Sequence, residues 1–192
     1  MKTKEKDGCI WPGNDELMLA YHDQEWGTPL YDDDTLFEFM ILDAFQAGLS
    51  WKTILHKREN FRKAFDKFNA KKIAKYDETK IQALMLDAGI IRNQLKIRST
   101  VTNAIHFLRI QKEYGSFSKY IWQFTDHRII NNKIAHHHNI TATSKESDAM
   151  SKALKKKGFK FVGSTICYAF MQASGMVNDH LTSCHRYKHL KK

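Results

Sequence analysis

Three cysteines in 192 residues are too few, and too odd in number, for a disulfide framework. Nor is there the run of about 18 apolar residues that a membrane span needs. The best stretch, Phe39–Phe45, is short and interrupted by Asp43. The opening residues, Met1–Gly8, are lysine-rich and polar with no apolar segment behind them, so no secretory leader is expected. These absences point to an intracellular, cytoplasmic protein without a membrane anchor. Sustained apolar–polar alternation, Gly-containing hairpin turns and internal repeats are also missing, which predicts little sheet. Acids are outnumbered, 21 Asp and Glu against 31 Lys and Arg, for a formal charge of +10. Such an excess favours a polyanionic partner, nucleic acid or an anionic membrane surface, and charge alone does not choose between them.

What is present is core material: 42% hydrophobic residues, 12% of all residues being aromatic. A chain of this length fits one domain, 1–192, with a basic tail at 185–192. Leu36, Met40, Asp43 and Ala47 fall at helical spacing, with the Asp32–Asp34 run as cap and Gly48 as stop. Ser50 caps a second helix carrying Trp51, Ile54 and Leu55, with Phe61, Phe65 and Phe68 continuing its apolar positions. Asp77 caps a third, through Ile81 and Leu84, ended by Gly89, and Ile97, Val101, Ala104 and Leu108 mark a fourth. Thr143 and Glu146 form a capping box before a fifth helix closed by Gly158, and a last one spans Ser164 to Gly175. The Asn-rich segment 126–142 is the least structured. The expected fold class is all-α.

Three constellations can carry chemistry. Cys9-x12-His22 near one end and His180-x3-Cys184 near the other supply a closed zinc set, although buried cysteines acting as small hydrophobes fit the spacing too. With four protein ligands such a zinc would be structural, clamping the chain ends together. Cys167, mid-helix among Ile166, Tyr168 and Phe170, reads as a core thiol. The turn Gly89–Asn93 joins two helices, so amides at the start of the second can face a phosphate, with Arg92, Lys96 and Arg98 nearby; an ordinary helical hairpin with solvated charges is the alternative. Lys152, Lys155, Lys156, Lys157 and Lys160 form a second basic cluster, which is also read equally well as a solvated face. Third, Asp43 stands on an apolar stripe, where an unpaired carboxylate is costly. Gln46, Leu49, Ser50 and Trp51 follow it, and Tyr21, His22, Asp23, Glu25 and Trp26 crowd together upstream. Acid, amide and aromatic groups together suit a pocket for a flat, hydrogen-bonding base; a helix cap or a lysine partner would also explain a buried acid. The His136–His138 run reads as a solvated loop or a weak accessory metal site.

Longer stretches carry a resemblance. Tyr21-His22-Asp23-Gln24-Glu25-Trp26-Gly27, Gln46-Ala47-Gly48-Leu49-Ser50-Trp51, Asp87-Ala88-Gly89-Ile90-Ile91-Arg92, Ser151-Lys152-Ala153-Leu154-Lys155-Lys156, Gly158-Phe159-Lys160-Phe161-Val162-Gly163 and Val177-Asn178-Asp179-His180 resemble the 3-methyladenine DNA glycosylase I family. They run in the family's order from Cys9 to Cys184. The resemblance implies a helix-hairpin-helix glycosylase fold, and monofunctional excision of 3-methyladenine from alkylated double-stranded DNA, leaving an abasic site; a monomer would suit the task. It implies one structural Zn2+ on Cys9, His22, His180 and Cys184, and places the family's hairpin on the Gly89 turn. The DNA-binding residues expected are Leu49, Gly89, Arg92, Lys96, Lys155 and Lys156, with Leu49 filling the gap left in the base stack. Tyr21 and Trp51 match pocket residues. The family's recognition glutamate falls on Asp43, one methylene shorter, and Met18 stands in place of a pocket tyrosine. Asp43 is assigned to accept hydrogen bonds from the base while water attacks the sugar. Rival functions are a glycosylase for another damaged purine and a non-catalytic lesion-binding protein.

Overall fold

The structure is a computed structural model describing residues 8–190; Met1–Asp7 and the tail residues Lys191 and Lys192 lie outside it. Helices dominate. In chain order they are α1 (Glu16–Gln24), α2 (Asp33–Gln46), α3 (Trp51–Ala64), α4 (Ala70–Ile73), α5 (Glu78–Leu86), α6 (Gln94–Tyr114), α7 (Phe117–Trp122), α8 (Lys145–Lys156), α9 (Ser164–Ala173) and α10 (His185–His189). Strands β1 (Ile130–Asn131) and β2 (Val177–Asn178) pair in parallel, Ile130 opposite Val177. The mostly helical reading holds.

α2 is the axis of the molecule. Every residue from Leu36 to Phe45 is buried, as befits a helix apolar on nearly all sides. α3, α6, α7 and α9 pack around it, through ring contacts such as Phe37–Phe107 at 4.8 Å and Phe45–Phe61 at 4.7 Å. Its first turn is tied down twice. Asp32 accepts from the amide of Thr35, and Asp33 accepts from the amides of Phe117 and Ser118, capping α7. Its last turn is ended by Gly48 at φ +79°, a conformation that suits glycine.

The expected boundaries shift in three places. The α8 capping box is Ser144 with Ser147, one residue beyond Thr143 and Glu146, because the Ser147 hydroxyl is short enough to accept from the Ser144 amide. α5 stops at Leu86, before Gly89, because the Asp87 carboxylate takes the Gly89 amide in a tight turn. The helix ending near Gly175 is not the last, since α10 occupies most of the expected basic tail. α1 and α7 were not expected at all; both are short, and α1 has half its residues in solvent.

Lys96 requires a correction of role. It sits in the first turn of α6, only 6% exposed, and its Nζ donates to the carbonyls of Phe45 (2.8 Å) and Ala47 (2.6 Å). It therefore satisfies the orphan carbonyls at the end of α2 and is not available to a phosphate. Lys96→Met is expected to destabilise the fold by about 2–4 kcal/mol, because two carbonyls lose their donor in a buried place. Thermal denaturation measures this, and an unchanged Tm would remove Lys96 as the tie between α6 and α2.

Candidate active site and metal centre

Two acids on α2 are buried, and they differ. Glu38 is met by Arg58 and Arg62 from α3, at 2.5 and 2.8 Å. Asp43 is 2% exposed, and its Oδ2 is buried with no hydrogen-bond partner. Burial pushes its carboxyl well above the usual carboxylate range. Neither a helix cap nor a lysine explains it. What it does face is a cavity of about 260 Å³, with Trp11, Tyr21, Trp26, Gln46 and Trp51 among its walls.

The walls come from separate elements. α1 supplies Tyr21, 3% exposed, whose ring lies 5.0 Å from that of Trp51 at the start of α3. Trp11 and Trp26 meet edge to face at 5.1 Å. The indole Nε1 atoms of Trp11 and Trp51 are, like Asp43 Oδ2, buried without partners. Unpaired polar atoms are uncommon in buried places, and here three of them belong to residues that line one cavity. An acceptor and two donors between aromatic faces form a receptor for a flat, polar heterocycle.

Met18 is not among the lining residues; it is 6% exposed and packs into the core. Trp11, Gln172 and His137 line the cavity without having been expected there. Trp11 lies in an irregular segment with no periodicity to mark it. Gln172 is fixed by Asp179, whose carboxylate also accepts from Tyr168 and Asn132.

The four residues proposed to hold a metal converge. The ligand atoms of Cys9, His22, His180 and Cys184 all lie within 4.8 Å of one another. Cys184 Sγ is 3.5 Å from His22 Nε2 and 3.6 Å from His180 Nδ1, and Cys9 Sγ is 3.8 Å from His180 Nδ1. Tetrahedral zinc with usual Zn–S and Zn–N lengths sets sulfur and nitrogen about 3.5 Å apart. The outer nitrogens are also held: His22 Nδ1 by Asp23 at 2.7 Å and His180 Nε2 by the Trp26 carbonyl at 3.0 Å. Both imidazoles are thereby set to turn a lone pair toward the sulfurs, the outer-sphere arrangement typical of metal sites. Hydrogen bonds from Cys9, His180 and His22 hold the Cys184 thiol below its usual range, while the same contact with Cys184 pushes the Cys9 thiol up. Ile134, Leu181 and Tyr187 enclose the cluster. Its link to the cavity is Trp26, whose carbonyl holds His180 and whose ring is a cavity wall.

The turn between α5 and α6 is equally defined. A side chain at Gly89 would meet Asp87 Oδ1 at 2.9 Å and Asn60 at 3.2 Å, so the hairpin sits close against α3. Lys57 on α3 donates to the Ala88 and Gly89 carbonyls, both at 3.2 Å. Arg92 is exposed beside the start of α6, whereas Arg98 is engaged by Glu78 at 2.6 Å. Leu49, 41% exposed, stands in the turn between cavity residues Gln46 and Trp51. Lys155 and Lys156 are exposed on α8. Cys167 is buried in the core.

A comparison with known proteins decides the family: the profile of methyladenine glycosylase matches residues 11–187. The chain belongs to this family. DNA-3-methyladenine glycosylase 1 of Escherichia coli (strain K12) is 46% identical over 176 residues, which is 92% of this chain and 94% of the relative. Among solved structures, 3-methyladenine DNA glycosylase I superposes with a TM-score of 0.91 at 46% identity, covering 93% of this chain and 98% of that one. A tyrosine-to-phenylalanine variant of 3-methyladenine DNA glycosylase I, in complex with 3-methyladenine, superposes at 0.90 with 34% identity, over 92% and 95% of the two chains. Membership in a methyladenine glycosylase family makes the chain a DNA-repair glycosylase, a hydrolase of N-glycosyl bonds. Among the described residues no helix is long and apolar enough to cross a membrane.

Proposed function

We propose that this methyladenine glycosylase hydrolyses the N-glycosidic bond of 3-methyladenine in alkylated double-stranded DNA, acting as a single chain and leaving an abasic site. The observation that carries this reading is the partnerless Asp43 carboxylate inside an aromatic cavity. Alkylation at the third ring nitrogen makes adenine a cation, so the base departs as a neutral molecule without help from a strong acid. Extruding, identifying and holding the lesion is then most of the task. Asp43 accepts from the base edge and favours the cationic ring over neutral adenine, while Tyr21 and Trp51 stack against or flank it. Water attacks the sugar carbon. Leu49 fills the gap in the stack, and the Gly89 hairpin with Arg92, Lys155 and Lys156 takes the backbone phosphates.

The four-residue cluster holds one structural zinc ion. Its donor set, spacing and outer-sphere partners all fit that ion, and four protein ligands leave it no open position. When bound it supplies no chemistry to the reaction; it fixes Trp11 and Trp26 by fixing their neighbours Cys9 and His180. The whole chain then acts as one domain, its two ends joined.

Incubating the protein with methylated duplex DNA and identifying released bases by mass spectrometry tests the activity. Free 3-methyladenine as the main product is the expected result. A different purine would shift the substrate to another lesion, consistent with the shorter acid at Asp43. Tight binding with no release would make the protein a lesion sensor.

A further inference from the structure

One wall of the cavity comes from a segment that none of the motif blocks includes. His137 and Ile140 line it, and both lie in the segment between the Asp87–Arg92 and Ser151–Lys156 blocks. His137 opens a single 3₁₀ turn, His137–Asn139. Its neighbours His136 and His138 stack on each other at 5.4 Å, nearly parallel, leaving the middle ring to a separate role. That ring is half-buried and anchored: its Nε2 accepts from the backbone amide of Ile10 at 2.9 Å. Ile10 lies between Cys9 and the cavity residue Trp11.

The anchor has a chemical consequence. An imidazole nitrogen that accepts carries no proton, so a neutral His137 bears its hydrogen on Nδ1. A cavity-lining residue thus holds one N–H donor in a fixed tautomer. Adenine lesions present an exocyclic amine, which a carboxylate accepts, and ring nitrogens, which need a donor. Asp43 serves the first need.

We infer that His137 is a specificity-determining residue of this pocket, donating Nδ1–H to a ring nitrogen of the extruded base and so favouring adenine-type lesions. The inference rests on the substrate reading above. His137→Gln keeps an acceptor within reach of the Ile10 amide but lacks the Nδ1–H; His137→Asn keeps an amide donor near that position. The probes are free 3-methyladenine and its 1-deaza and 7-deaza analogues, titrated calorimetrically against the metal-loaded full-length protein.

The unaltered protein should bind one deaza analogue about fivefold to tenfold more weakly than the parent base, the effect of one hydrogen bond. His137→Gln should bind the parent more weakly by the same factor and show no further loss with that analogue, and His137→Asn should recover part of the affinity. His136→Gln, altering only the adjacent stack, should bind as the unaltered protein does. Undiminished binding by His137→Gln, or an analogue penalty that persists in it, would overturn the inference alone. Absence of binding by the unaltered protein would overturn the substrate reading and this one with it.

Discussion

Asp43→Asn is expected to lower release of 3-methyladenine about a hundredfold while making the protein more heat-stable. The first half follows from the loss of a hydrogen bond to a charged acceptor, worth about 1.5–3 kcal/mol, together with the field that favours a cationic base. The second half follows from burial. The folded-state pKa of Asp43 lies above its unfolded value because the ionised form is desolvated. Its contribution to stability is therefore intact below the unfolded pKa, near about 4. It is lost as pH rises through the folded pKa. Asparagine has no such titration, so the stability gap between variant and parent should widen with rising pH and then level off. Each kcal/mol gained raises Tm by about 2–4 °C in a chain of this size. Melting curves across a pH series and a base-release assay check both halves. Equal stability at every pH would contradict the burial argument, and unchanged release would remove Asp43 from the mechanism. A cationic lesion must also displace the proton that the empty pocket favours. Binding should accordingly strengthen as pH rises through the raised pKa of Asp43.

Metal removal, by contrast, should cost stability. A ligand bound a thousandfold above its dissociation constant stabilises by about 4 kcal/mol, and structural zinc commonly exceeds this. Chelation is thus expected to lower Tm by about 8–16 °C or more. Elemental analysis should find about one zinc per chain, and Cys184→Ser should lose it. A metal-free preparation with the same Tm and full activity would refute the clamp. Because Trp26 joins the cluster to the cavity, chelation should also weaken base binding before the chain unfolds globally.

Much of this was written in the sequence. Helical spacing on α2, the Ser50 cap and the Gly48 stop are local signals, and each appears where its chemistry places it. Asp43 was visible because a charge on an apolar stripe is an anomaly. Lys96 was misread for a related reason: a lysine in a basic stretch looks solvated, and nothing local reveals carbonyls contributed by a helix 49 residues away. Met18 has pocket neighbours in sequence but turns into the core. The Cys9–His22 spacing is loose because its partners lie at the other end of the chain, so the four-residue set could be picked out of the sequence, and only the family resemblance favoured a zinc site over buried cysteines. His137 looked like part of a solvated loop. What places it at the cavity is one backbone amide across 127 positions, which no periodicity encodes.

The distance between the two halves of the metal cluster, 171 positions from Cys9 to His180, also bears on biosynthesis. During translation at about 5–20 residues per second, Cys9 and His22 emerge on the order of 10 to 35 s before Cys184. Closing a loop of that length carries an entropic cost of about 4–5 kcal/mol, which only late ligands can repay. Trp11 and Trp26 must therefore wait for the C-terminal segment before the base cavity has all its walls. A nascent chain that still lacks its C-terminal segment would be unable to grip a lesion.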